Sequence, residues 1–157
     1  GLPDAGFGRR GQAESQAGTE FLAVAAAADG AFWVAGRRAS PAQATVQRLL
    51  ADGRPDLSFG DRGRLLSGEA GSDRVAQAWL LSAGQEVLWV IRRGRRLDCL
   101  VLPPPAGLPP LSGWRTIALR DESDVAPAWD QGWLYLAGAT AADGVDLTLA
   151  RYAVPAR

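Results

Sequence analysis

Short apolar runs separated by glycine-containing turns make up most of this chain, and that pattern predicts strands. In the first unit Phe21 to Ala27 is followed by Asp29-Gly30 and then by Phe32-Trp33-Val34-Ala35-Gly36. The second unit reads Val75 to Leu81, Ala83-Gly84, then Leu88-Trp89-Val90-Ile91; the third reads Val125 to Trp129, Gln131-Gly132, then Leu134-Tyr135-Leu136-Ala137-Gly138. Each is a hairpin signal: a turn that favours positive φ between two runs rich in aromatic and branched residues. A further strand follows in each, ending near Arg48-Leu49, Leu100-Val101 and Arg151-Tyr152. Phe21 to Ala28, the longest apolar stretch and mostly alanine, is expected as a buried strand. No window sustains helical apolar spacing over the ~10 residues a helix needs, and 19 Gly and 10 Pro are scattered throughout.

A second pattern is a true repeat. Pro-Asp-x-x-Phe-Gly-x-x-Gly occurs as Pro3, Asp4, Phe7, Gly8, Gly11 and again, 52 residues later, as Pro55, Asp56, Phe59, Gly60, Gly63. An eroded third copy without Phe-Gly runs through Ala106, Gly107, Pro109, Leu111, Ser112 and Gly113. With the stretch after this turn, each unit holds four short strands, and four-stranded units repeating at about fifty residues are what propeller blades look like in sequence. The fold class expected is therefore all-β: a β-propeller-type repeat of three four-stranded blades in a single domain, 1–157. The blades are placed at 13–66, 67–119 and 120–157, the last completed by residues 1–12.

The run from Val46 to Gly63, with Arg48-Leu49-Leu50-Ala51-Asp52-Gly53 leading into Asp56-Leu57-Ser58-Phe59-Gly60, resembles the delta-60 repeat. Ala28-Asp29-Gly30-Ala31-Phe32-Trp33-Val34-Ala35-Gly36 is similar to the hairpin of the same repeat, and Leu149-Ala150-Arg151-Tyr152 to its strand before the turn. The third unit departs from the pattern, with Val154-Pro155 where Asp-Gly belongs. The resemblance implies a propeller-like, secreted or surface bacterial protein, and it carries over no catalytic residue.

The repeated positions have structural reasons. Gly30 and Gly53 follow aspartates where a turn needs positive φ. Phe7 and Phe59 are expected to plug the space between blades while Gly8 and Gly60 let the backbone turn against them. Asp4 and Asp56 are expected to accept N–H groups two residues on.

Composition narrows the function classes. With 47% hydrophobic and 22% charged residues the chain is globular, and 157 residues suffice for a core without metals or disulfides. No apolar run approaches the ~18 residues of a membrane span. Seventeen cations, all arginine, balance seventeen acids, so no net field draws nucleic acid or anionic lipid. Lys, His, Met and Asn are absent; beside abundant Ala, Gly, Arg and Pro this suggests a GC-rich bacterial genome. A chain that opens on Gly1 without Met is expected to be processed, most simply by loss of a secretory signal, which points to a secreted or cell-surface location.

Candidate chemistry is sparse. Without His there is no Ser-His-Asp triad, Cys-His dyad or imidazole metal site, and no nucleotide motif is present. No enzyme activity, cofactor or metal is expected. Cys99, the only cysteine, lies in an apolar strand pattern and reads as a buried inert thiol. Asp121-Glu122-Ser123-Asp124 is the densest acidic cluster, but its spacing lacks the calcium-loop pattern and it reads as a solvated loop. Arg92-Arg93-Gly94-Arg95-Arg96 falls where a hairpin should turn; it is either an anion-binding group or a solvated tip that discourages edge pairing. Of the six tryptophans, Trp33 and Trp89 with Tyr135 occupy matching hairpin strands and are expected between blades, while Trp79 is less regular. Trp114, Trp129 and Trp133, with Arg92, Arg93, Arg95 and Arg96, are the candidate contact residues for a sugar ring or a protein.

The expected function is a non-catalytic extracellular or cell-surface interaction module that self-associates, as a dimer or a head-to-tail polymer, or joins other extracellular proteins. The alternative is a glycan-binding propeller. Three wedges are too few to close a ring alone, so oligomerisation is expected to complete it through exchange of the terminal segments.

Overall fold

The computed structural model describes residues 2–14, 18–39, 42–67, 75–102, 114–119, 125–140 and 146–154. Among them the chain is all-β, with eleven strands and no helix. The first sheet runs β1 (Thr19–Ala26), β2 (Phe32–Arg38), β3 (Gln43–Leu49) and β4 (Arg64–Leu66). The second runs β5 (Val75–Ala83), β6 (Glu86–Arg93), β7 (Arg96–Leu102) and β8 (Arg115–Ala118), and the third β9 (Val125–Asp130), β10 (Trp133–Thr140) and β11 (Asp146–Ala153). All pairings are antiparallel between chain neighbours. Among the described residues the third sheet has three strands, and β11 carries no partner on its outer edge; residues 2–12, expected to complete this unit, lie against the first sheet instead. Among the described residues no helix is long and apolar enough to cross a membrane.

Local chemistry explains where the strands turn. Asp29 accepts the Ala31 N–H through its side chain at 3.2 Å, and Gly30 takes a φ of 81° between β1 and β2. Gln131 and Gly132 both have positive φ, the geometry of a two-residue turn whose twist matches its strands. The arginine run is mostly strand: Gly94 and Arg95 form the turn, with Arg92 and Arg93 in β6 and Arg96 in β7.

The three sheets stack face to face, and β5 lies beside both β1 and β9. Between the first and second sheets Trp33, Ala35, Ala44, Val46 and Phe59 meet Val75, Ala78, Val87, Trp89, Ile91, Leu100 and Leu102. Between the second and third, Leu88, Val90, Leu97, Cys99 and Ile117 meet Trp129, Leu134, Leu136 and Val154. Polar ties cross the first gap too. Arg37 donates to the Val75 carbonyl at 3.2 Å, and Arg93 donates to the Ser67 hydroxyl at 2.7 Å, while that hydroxyl accepts from the Ala44 N–H.

These faces correct the expected match of Trp89 with Trp33 and Tyr135, and the expected burial of Tyr135 between sheets. Trp33 points forward to the second sheet, whereas Trp89 points back to the first, so both rings enter one core from opposite sides. Tyr135 alternates with Leu134 and Leu136 and lies on the face of β10 turned away from the second sheet. By face, the counterpart of Trp33 is Leu88. Five residues link β1 to β2 but only two link β5 to β6, and aligning the tryptophans places that difference inside the strands, where a one-residue shift reverses every side chain.

Phe59 fills the first gap as expected: it is 4% exposed and packs edge-on against Trp33 at 4.9 Å. Phe59→Ala is expected to lower the unfolding free energy by about 3–5 kcal/mol, read from a denaturant titration; an unchanged midpoint would show that the ring does not hold the sheets together.

Candidate functional site

The repeated turn has the same geometry in both copies. Asp4 accepts the Gly6 N–H at 2.9 Å, as Asp56 accepts the Ser58 N–H at 3.0 Å. The Phe7 N–H donates to the Asp4 carbonyl and the Phe59 N–H to the Asp56 carbonyl, each at 3.0 Å. Gly8 and Gly60 have φ of 55° and 54°, where a Cβ would strike the carbonyl oxygens of Gln12 and Arg64. Arg10 and Arg62 also match, at 56° and 52°.

The surroundings of the two copies differ. Asp56 is clamped by Arg48 on β3, which also pairs with Asp29 of the first hairpin and lies 5.6 Å from the centre of the Trp33 ring. Backbone bonds lock the turn to the same strand: Asp56 N–H to the Arg48 carbonyl at 2.9 Å and Arg48 N–H to the Gly63 carbonyl at 3.1 Å. Residues 64–66 then pair with 45–47 as β4. The N-terminal copy is not attached to a third strand of its own. It lies against the first sheet, with the Gly8 N–H donating to the Asp52 carbonyl at 2.6 Å and Phe7 edge-on to Phe32 at 5.8 Å. The Asp4 carboxylate is exposed and meets no cation among the described residues.

Two sheet faces are left open at opposite ends of the stack. On the third sheet, register places Trp133, Tyr135 and Ala137 beside Ala126 and Ala128 of β9 and Leu149, Arg151 and Ala153 of β11. Leu149 is 74% exposed and Trp133 38%, and the Arg151 guanidinium lies 4.6 Å from the Trp133 ring centre. On the first sheet, Phe21, Val24, Ala26, Phe32, Val34 and Leu49 share the outward face, and Val24 is 66% exposed. The N-terminal turn leaves a groove of about 720 Å³ against this face, bounded by Phe7, Gln12, Ala13, Val24 and Phe32. Here β1 is covered on one side only, so the run from Phe21 to Ala28 is not the fully buried strand expected.

The other sequence candidates do not converge on one place. Arg92 and Arg93 are buried, Arg92 donating to Gln77 at 3.1 Å and Arg93 lying 3.4 Å from Asp98. Arg95 and Arg96 are exposed at the turn, with Arg96 3.6 Å from Asp98. Trp129 packs in the core, and Trp114 lies against Trp89 at 5.2 Å, leaving Trp133 as the candidate ring on an open face. The acidic cluster 121–124 and the eroded repeat at 106–113 lie outside the described residues. Sequence reasoning missed Val24, Leu149 and Arg151 as site residues. For Arg151 a signal existed, since Leu149-Ala150-Arg151-Tyr152 aligns with Val46-Gln47-Arg48-Leu49.

No family model, curated protein or solved structure matches this chain.

The Ser58 hydroxyl holds the Asp56 carboxyl below its ordinary value, helped by the Ser58 N–H and Arg48 and opposed by burial. A depressed carboxyl contributes stability that is complete above the unfolded value, near 3.8, and is lost as pH falls through the folded value. Thermal midpoints are expected to drop below about pH 4, and Asp56→Asn should flatten that slope while lowering stability at neutral pH. Equal acid slopes in the two proteins would contradict the clamp.

Burial, with the Asp98 charge second, pushes the Cys99 thiol up to about 12. The native protein is expected to resist thiol-specific labelling at pH 8 and to react when denaturant unfolds it. Rapid labelling of the folded chain would show that β7 opens locally.

Proposed function

We propose that this chain is a non-catalytic, propeller-type module that associates with other copies through its two open sheet faces. One observation carries this reading: the ends of the stack expose the same kind of apolar face that the sheets bury against one another within it. Each internal gap joins the forward face of one sheet to the backward face of the next. A third sheet with an unmatched forward face and a first sheet with an unmatched backward face are the two halves of one more such gap. The side-by-side arrangement of β1, β5 and β9 favours a propeller, in which the first strand of each blade gathers around a common axis. The matched geometry of the two Phe-Gly turns supports an internal repeat; the likeness to the delta-60 repeat rests on the sequence and is part of the proposal. A secreted or surface location remains part of the proposal.

The glycan alternative has less behind it. It calls for equivalent ring and arginine pockets in successive blades, whereas Trp33 and Trp89 are buried and Trp133 with Arg151 stands as a single exposed pair.

Light scattering across a range of concentrations tests the reading. The expected mass is at least twice the 16.5 kDa of one chain. Leu149→Asp or Val24→Asp should return the protein to a monomer that circular dichroism still shows folded, because both side chains are exposed in the single chain; its thermal midpoint should fall only by the stabilisation that association supplied. A wild-type monomer at every concentration would overturn it.

A further inference from the structure

Each open end carries what the other lacks. The second sheet and the first both have a fourth strand, while β11 has none among the described residues. Residues 2–14 repeat the turn that precedes β4 in the first sheet, and among the described residues no third strand lies beside them. The groove next to that turn is the space between it and the first sheet, where the inner strands of a preceding blade would lie.

The position of Arg151 makes the match specific. In the first sheet Arg48 stands opposite Trp33 on the forward face; in the third, Arg151 stands opposite Tyr135 on the forward face. Both guanidiniums lie against a tryptophan, Trp33 and Trp133 respectively. Arg48 is spent on Asp29 and on Asp56 of its turn, with its side chain 3% exposed. Arg151 is exposed, and Asp4 is the unclamped carboxylate of the other copy of that turn.

Building on the self-association reading, we propose that the N-terminal turn of one copy docks on β11 of a second copy. Residues 12–14 then pair with 148–150 as a fourth strand, and Asp4 is clamped by Arg151. The register follows from the first sheet, where Thr45, Val46 and Gln47 pair with Leu66, Leu65 and Arg64. Transferred to the joint, Leu149 faces Ala13 and Ala150 faces Gln12. The Asp4 N–H donates to the Arg151 carbonyl and the Arg151 N–H to the Gly11 carbonyl, as Asp56, Arg48 and Gly63 do within the first sheet. The forward face of the third sheet, with Trp133, Tyr135 and Leu149, enters the groove over Val24 and Phe32. Made twice between two copies, the joint gives six blades, within the four to eight that propellers use; made head to tail without closing, it gives a filament.

Charge reversal and cross-linking test the joint directly. Asp4→Arg and Arg151→Asp are each expected to weaken association at least about 30-fold, and the chain carrying both changes should recover it. Both side chains are exposed in the single chain, so circular dichroism should show each variant folded. Mixing Ala13→Cys protein with Leu149→Cys protein under mild oxidation should yield a disulfide-linked dimer, since directly paired strand residues lie within the Cα separation a disulfide spans. Cys99 is buried and does not compete. A multimer whose mass ignores the charge reversals, and in which this cysteine pair does not link, would overturn the joint while leaving self-association intact. A wild-type chain that stays monomeric would instead remove the reading on which the joint rests.

Discussion

Arg48 is the residue on which the first sheet depends. Its guanidinium is buried, and burying a cation is costly unless carboxylates and hydrogen bonds replace the water it loses. Asp29 comes from the β1–β2 hairpin and Asp56 from the turn before β4, so satisfying one charge fixes three separate segments relative to β3. The same side chain lies over Trp33, whose ring meets Phe59. Electrostatic closure of the first sheet and packing of the gap to the next sheet are therefore one arrangement. Removing the Asp56 carboxylate would leave the cation with one partner fewer on its buried side, whereas the half-exposed Asp29 could be replaced in part by water.

That arrangement was partly legible in the sequence. The Phe-Gly turn could be read because its constraints are local: positive φ at Gly8 and Gly60, and the side chains of Asp4 and Asp56 bonding two residues ahead. Residues forced by their own backbone repeat as letters, and the two copies share their geometry as closely as their spelling. Facing was harder. It depends on the phase of a two-residue period, and a link of five residues in one hairpin against two in the other was enough to make Trp33 and Trp89 look alike while they point in opposite directions. The arginine run misled for a related reason. Only Gly94 and Arg95 turn, and Arg92 and Arg93 are drawn into the stack by Gln77, Ser67 and Asp98, partners 5 to 26 residues away in sequence that no local pattern announces.

The open faces follow from the same logic at the scale of whole sheets. Each sheet has two apolar faces, as a central layer must, and a stack of three leaves the outermost two without a neighbour. Trp133, Leu149 and Val24 are exposed where their counterparts within the stack are covered. The N-terminal turn already covers part of the first face through Phe7 and Phe32. What remains is a groove edged by backbone with the geometry of the repeated turn. An unpaired strand edge together with an apolar face is a surface that natural proteins rarely leave uncovered.

Hydrogen exchange at two protein concentrations tests the central claim most directly, because it reads backbone pairing at the joint itself. Backbone amides in β11 and in residues 11–14 should gain protection together as concentration rises, while those of β6, already paired on both sides, should not change. Protection in both segments that is independent of concentration, or that rises in one without the other, would contradict the pairing of β11 with the N-terminal turn of a second copy.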